Sequence, residues 1–293
     1  MNSPIYILSL FLILFESCGQ ELKQEQIIIN SISDTDDNST SNDVELLEST
    51  GKIEENQIKS QLEAKYESID NIPCPKSYKR ADLDTNSFGY YLRTFPLKTE
   101  NNIVHLFDES EKWSQEVHFA ILKIDVGTRD LQQCADAVMR LRGEYLFERK
   151  RFNDIHFNFL SDGKPRYYIE FAGSNRTHDK FRKYMNYIFS YANTSSLKDE
   201  LESVNIEDMQ IGDVFIQSGN PYGHAITVMD MAKNHEGQKI FMLSQSYMPA
   251  QEIHILKNLN NESLSPWYPL NFGESLVTPE WTFYAKDLKR FTD

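Results

Sequence analysis

The chain has 293 residues, 40% of them hydrophobic and 12% aromatic, which is apolar material for one sizeable core or two small ones. Its formal net charge is −14, and this argues against a nucleic-acid partner, because binding phosphates needs a basic face. The acid is concentrated: residues 31–70 hold 11 Asp and Glu against 3 Lys, so that stretch reads as a solvated spacer rather than part of a core.

Residues 4–15 (PIYILSLFLILF) form an apolar run of the length of a signal-peptide h-region, shorter than the roughly 20 residues that a membrane-spanning helix needs. Ser17 and Cys18 follow it. Phe15-Glu16-Ser17-Cys18 resembles the lipobox of a bacterial lipoprotein, with an aromatic and an acid in place of small residues. That resemblance implies cleavage after residue 17, acylation of Cys18 and stable attachment to a membrane through two or three acyl chains. The folded part is then expected outside the cytoplasm, in the cell envelope. Residues 1–17 read as the signal peptide and 18–70 as a lipid-anchored acidic tether. The tether's centre, 33–43 (SDTDDNSTSND), has no hydrophobic period and is expected to be disordered. Residues 71–293 are expected to form a single α+β domain.

Within that domain, 117–125 (VHFAILKID) reads as a strand. Gly127-Thr128 make a turn. Leu131, Cys134, Ala135, Val138, Leu141 and Tyr145 then recur at helical spacing and predict a helix over 130–150. RYYIEF at 166–171 suggests a further strand, and 178–193 a helix with an aromatic stripe. A short turn or helix is expected at 199–204. Three strands follow at 212–217, 224–232 and 239–246, joined by connections short enough for antiparallel neighbours. Helices followed by an antiparallel sheet are an α+β layout.

A cysteine nucleophile needs a lowered pKa, a base within reach and a group that orients the base. Cys134 falls in the first turns of the predicted helix, where free N–H groups favour a thiolate. His224 opens a predicted strand, and Gln245 lies on the next one, with Ser244 and Ser246 as alternatives for the third position. On the helix, Asp136, Arg140 and Glu144 share a face. They make either an exposed ion-pair ladder or a charged cleft wall, with Arg140 or Arg142 meeting a carboxylate. Asp136, Arg140 and Tyr247 are candidate binding residues. Trp267, Tyr268 and Trp281 either line a groove or pack in the core. Cys74 and Cys134 remain after Cys18 and can pair outside the cytoplasm. The histidines show no HxxxH or HxH spacing, so neither a metal nor a cofactor is expected.

Gly212-Asp213-Val214-Phe215 followed by Gly223-His224-Ala225-Ile226 resembles the second half of the NlpC/P60 and CHAP cysteine peptidases. The resemblance implies a papain-like fold with Cys134 as nucleophile, His224 as base and Gln245 orienting it. The chemistry implied is cleavage of amide bonds in peptidoglycan or peptides. Residues 74–292 are also similar to a family of uncharacterised bacterial lipoproteins that share a domain of unknown function. That similarity rests on Gln132–Arg142, Ile211–Ile216, Ser244–Asn258, Ser265–Tyr268 and Thr278–Phe283. It agrees with the lipoprotein reading and implies no activity. The competing function is a non-catalytic envelope lipoprotein that binds glycan, peptide or protein on a degenerate peptidase fold.

Overall fold

The computed structural model describes residues 65–219 and 222–292. The apolar leader, Cys18 and the tether up to residue 64 lie outside the described residues. Residues 65–70, expected to belong to the tether, are already part of the fold. Ile69 is fully buried, its N–H bonds Phe95 O at 3.2 Å, and Tyr66 stacks on Phe119.

The chain enters through β1 (Tyr78–Arg80) and α1 (Phe88–Arg93), then β2 (His118–Ile121) and the long α2 (Cys134–Glu148). A helical layer follows: β3 (His156–Asn158), β4 (Pro165–Tyr167), α3 (Tyr168–Ala172), α4 (His178–Phe189), α5 (Thr194–Glu200) and β5 (Glu202–Ser203). Then come β6 (Val214–Gln217), β7 (His224–Asn234), β8 (Lys239–Gln245) and β9 (His254–Leu256). Short strands close the chain: β10 (Tyr268–Pro269), β11 (Leu276–Val277), β12 (Thr282–Phe283) and β13 (Leu288–Arg290).

The large sheet has nine strands in the order β2-β9-β8-β7-β6-β13-β5, with β1 extending along β7 and β10 along β8. All its pairings are antiparallel, so the architecture is α+β. The β7–β8 ladder shifts register between Val228 and Asp230. Beyond that bulge Asp230, fully buried, accepts from Arg80 Nε at 2.5 Å and Arg93 Nε at 2.6 Å. This pair of bonds ties the entering segment to the far end of β7, and Arg80 also donates to the carbonyls of Ile69 and Ile72.

Helix α2 starts because Gln133 is extended and its N–H is taken by the Asp136 carboxylate at 3.2 Å. It stops where Lys150, at φ 56°, turns the chain left-handed and its N–H returns to Phe147 O. Twelve of its 15 residues are buried, so it is a central helix between the sheet and α4 rather than one with a solvated face. Gly143 lets α4 approach: a Cβ there would sit 3.1 Å from Phe181 and 3.2 Å from Met185.

Segment 166–171 corrects the expected strand. Only Pro165–Tyr167 is extended, and Tyr168 begins a helix of five residues. The Tyr168 ring is fully buried among Phe147, Phe181 and Tyr184, and that packing overrides the β-rich local composition. The short element expected at 199–204 begins earlier, as α5, and is followed by β5.

Candidate functional site

Three of the residues singled out in the sequence converge at one end of β7. Cys134 is the first residue of α2, and its Sγ lies 3.9 Å from the carbonyl oxygen of Gly223. His224 is the first residue of β7. Gln245 is the last residue of β8, one step past the final β7–β8 pair, Thr227–Ser244. Side-chain alternation puts Gln245 on the face shared by His224 and Ile226. Its Oε1 meets His224 Nε2 at 2.9 Å.

The orientation of the Gln245 amide follows from its other partners. Nε2 donates to Glu280 Oε2 at 2.5 Å and faces His254 Nε2 at 3.4 Å. His254 Nδ1 gives its proton to the Glu252 carbonyl at 2.9 Å, so its Nε2 is free to accept. Oε1 is therefore the atom turned to His224. It can only accept, so His224 carries its proton on Nε2 and keeps a lone pair on Nδ1.

The rings of Tyr247, Trp281 and Phe283 enclose His224 at centroid distances of 4.9, 5.3 and 5.9 Å. Burial in this setting pulls the imidazole down to about 4, against the Gln245 bond, which favours the charged form. Burial also pushes the Cys134 thiol up to about 11, reinforced by Asp136 and opposed by the backbone amides of Ala135, Cys134 and Ala225. The thiolate expected from the helix terminus is thus disfavoured: desolvation outweighs the helix N–H groups.

A cleft of about 300 Å³ opens over Cys134 between α2 and the start of α5, lined by Asp130, Gln133, Asn193, Tyr222 and Gly223 among others. Asp136 lines it too, yet is nine-tenths buried. Its carboxyl caps the helix, and burial raises its pKa well above the usual carboxylate range. Arg140 does not line the cleft. Its guanidinium is 1% exposed and bonds Glu144, Gln132 and Asp125, so the ladder expected on this face is a buried knot that excludes Asp136. Tyr247 stands against His224.

The alternatives for the third position have other roles. Ser246 Oγ bonds the carbonyls of Gln132 and Gln251, and Ser244 Oγ is buried without a partner. Cys74 and Cys134 are both free thiols, so the pairing open to them is not made. Trp267 and Tyr268 are buried core residues, while Trp281 faces His224. Among the described residues no cluster of three or more His, Cys, Asp or Glu is arranged to hold a metal ion.

Sequence reasoning missed Glu280, Lys112 and His254. Lys112 Nζ lies 2.5 Å from Glu280 Oε1, and its side chain is 2% exposed. Glu280 sits in the turn between β11 and β12, which the Thr278 hydroxyl closes by bonding the Trp281 carbonyl at 2.7 Å. The one signal pointing to Glu280 was its place in the Thr278–Phe283 stretch.

Fold and site together define an α+β domain in which Cys134 and Gly223 line a cleft and the adjoining His224 is hydrogen-bonded in a row with Gln245 and Glu280. The family model described as Domain of unknown function (4846), DUF4846, matches residues 69–290, and the chain belongs to that family. Searches of curated proteins and of solved structures return no match.

Proposed function

We propose that this domain is a cysteine-dependent amidase or peptidase of papain-like type, acting on amide bonds of the cell wall or of peptides. It works in the envelope, held to a membrane by a lipid on Cys18. The observation that carries the proposal is the hydrogen bond from His224 to Gln245 beside a helix-start cysteine. It leaves the imidazole with a basic lone pair on Nδ1, while the Cys134 sulfur lies 3.9 Å from the carbonyl oxygen of the preceding residue, Gly223. Because both groups rest neutral, the thiol proton moves to His224 Nδ1 as sulfur attacks the carbonyl carbon. The imidazolium then protonates the leaving amine as the C–N bond breaks. Water, deprotonated by His224, releases the acid from the thioester and restores the thiol.

The apolar leader before Cys18 and the acidic stretch behind it support the anchored placement. Among the described residues no helix is long and apolar enough to cross a membrane. The cleft supplies carboxyl groups from Asp130 and Asp136 and no Lys or Arg, which suits a neutral or amine-bearing substrate and not a nucleic acid.

One observation favours a second reading, a non-catalytic module that binds glycan, peptide or protein in the same cleft: Cys134 is only 7% exposed. Iodoacetamide labelling of Cys134, followed by peptide mass spectrometry, separates the two. The catalytic reading expects labelling of the native protein at pH 7, slowed about 100-fold or more in His224→Ala. Labelling that begins only on unfolding, or that ignores His224, rules out the catalytic reading and favours the binding module.

A further inference from the structure

We infer that Glu280, held by Lys112, is a positioning residue that sets the tautomer of His224 through the Gln245 amide. The inference rests on the proposed role of His224 as base and adds to it the group that makes that role possible.

A glutamine amide is ambiguous on its own, since oxygen and nitrogen occupy nearly the same space and either can face a neighbour. Whichever end faces His224 Nε2 decides where the imidazole keeps its proton. Here the decision is taken 35 residues further along the chain. An ion-paired carboxylate only accepts, so Glu280 Oε2, 2.5 Å from Gln245 Nε2, holds the nitrogen end of the amide. His254 accepts the second proton of that nitrogen at a longer 3.4 Å. Lys112 in turn occupies Glu280 Oε1 at 2.5 Å and leaves Oε2 for Gln245. Lysine and glutamate are both largely buried, and a pair so placed is weak evidence for stability alone. Its geometry instead runs a chain of three groups, Lys112, Glu280 and Gln245, to the Nε2 edge of His224, away from Nδ1. The hairpin turn at Thr278–Trp281 puts Glu280 on the amide and the Trp281 ring on the imidazole.

The substitution Glu280→Gln gives this arrangement a specific consequence. Lys112 still needs an acceptor, and the bond to its charge is the stronger one, so the new amide oxygen turns to it. The new NH₂ then faces Gln245, which must rotate to present its oxygen. The Gln245 NH₂ now points at His224 Nε2, which can accept only if the proton moves to Nδ1. The base is lost although no residue of the Cys134–His224–Gln245 set has changed. In a nucleophile–base pair, a wrong tautomer costs on the order of 10⁴-fold in rate.

The test is long-range ¹H–¹⁵N correlation NMR on ¹⁵N-histidine-labelled full chain at pH 7, with His224 assigned by the signals lost in His224→Asn. The expected result is an Nε2–H tautomer in the unchanged protein, Nδ1–H in Glu280→Gln, and Nε2–H again in Glu280→Asp, which keeps a carboxylate acceptor. An Nδ1–H tautomer in the unchanged protein overturns the inference without any variant having to fold. So does Glu280→Gln that folds and keeps Nε2–H. Cys134 labelling by iodoacetamide on the same samples is expected to slow at least tenfold in Glu280→Gln and to recover in Glu280→Asp. A tautomer that switches while labelling stays unchanged removes the catalytic reading and leaves the assignment of Glu280 standing.

Discussion

At the scale of single residues, Cys134 and His224 act against the usual picture of a cysteine–histidine ion pair. The thiol is pushed up to about 11 and the imidazole pulled down to about 4, both chiefly by burial, so neither is charged near pH 7. This has a kinetic signature. Labelling through free thiolate alone rises about tenfold per pH unit until the thiol titrates. Labelling assisted by neutral His224 depends little on pH between about 5 and 9, where neither group titrates. A shallow profile is therefore expected for the unchanged protein over pH 6–9, with the tenfold-per-unit slope returning in His224→Ala. Rates of Cys134 labelling at four pH values check it, and a steep slope in both proteins rules out base assistance.

At the scale of elements, the strands at 214–217, 224–234 and 239–245 were readable because they are apolar runs separated by turn residues. The motif that drew attention to them has a structural explanation of its own. Gly212 has φ +96°, and a Cβ there would lie 2.7 Å from Phe88. At Gly223 a Cβ would lie 2.2 Å from the Gln217 carbonyl, so the hairpin leading into His224 has no room for a side chain. Asp213, 1% exposed, accepts from Arg290 Nε at 2.6 Å and from the Gln210 N–H at 2.8 Å, fastening β6 to β13. Gly-Asp and Gly-His thus report how this part of the sheet is built; only His224 enters the cluster by its side chain, and Gly223 meets Cys134 through its carbonyl. Asp213→Ala leaves Arg290 without its carboxylate on a partly exposed side chain. It is expected to cost about 2–3 kcal/mol in urea unfolding while labelling of native Cys134 is unchanged. Where aromatic packing decided the outcome, as at Tyr168, local composition pointed the wrong way.

At the scale of the whole molecule, pH ties the site to stability. Burial lowers the imidazoles of His118, His156, His224 and His254, with His118 and His224 near about 4. It also raises the carboxyls of Asp136 and of Glu200, the latter to about 7. Between about pH 4.5 and 6.5 the unfolded chain takes up protons on the histidines that the folded chain refuses, so those groups lose stability on acidification. The two carboxyls work in the opposite sense, stabilising below their unfolded pKa and losing that contribution as pH rises toward 7. Four groups against two make the histidines dominant, at about 1.4 kcal/mol per pH unit for each net proton. The urea midpoint is expected to fall from pH 6.5 to pH 5. A midpoint that rises instead shows that the carboxyls prevail.

The same scale explains what the sequence left hidden. His224 and Gln245 lie on neighbouring strands, so register brings them near one another, and Cys134 joins them by the packing of its helix on β7. Glu280 stands in a turn with no period, and Lys112 in a loop before β2, so nothing local connects them to His224. Their role depends on three-dimensional contact across 35 residues of chain, from Gln245 to Glu280, and 168, from Lys112 to Glu280. The helix face of Asp136, Arg140 and Glu144 was readable as a spacing but not as buried, because charge periodicity carries no information about what packs over it.

The clamp on Asp230 also has a mechanical consequence. From His224 to Ala232, the partner of Arg80, β7 runs about 25 Å at the usual rise per residue. The N-terminal segment is gripped at that distal end, by Arg80 and Arg93 on Asp230 and by Arg80 on the carbonyls of Ile69 and Ile72. Tension arriving through the segment before Ile69 meets first the Tyr66 stack on Phe119 and the backbone bonds of Glu67 and Ile69, and then this clamp, which passes it into the middle of a nine-stranded sheet. If the domain is anchored through the residues before Ile69, as we propose, the clamp and the cysteine end lie toward opposite ends of β7.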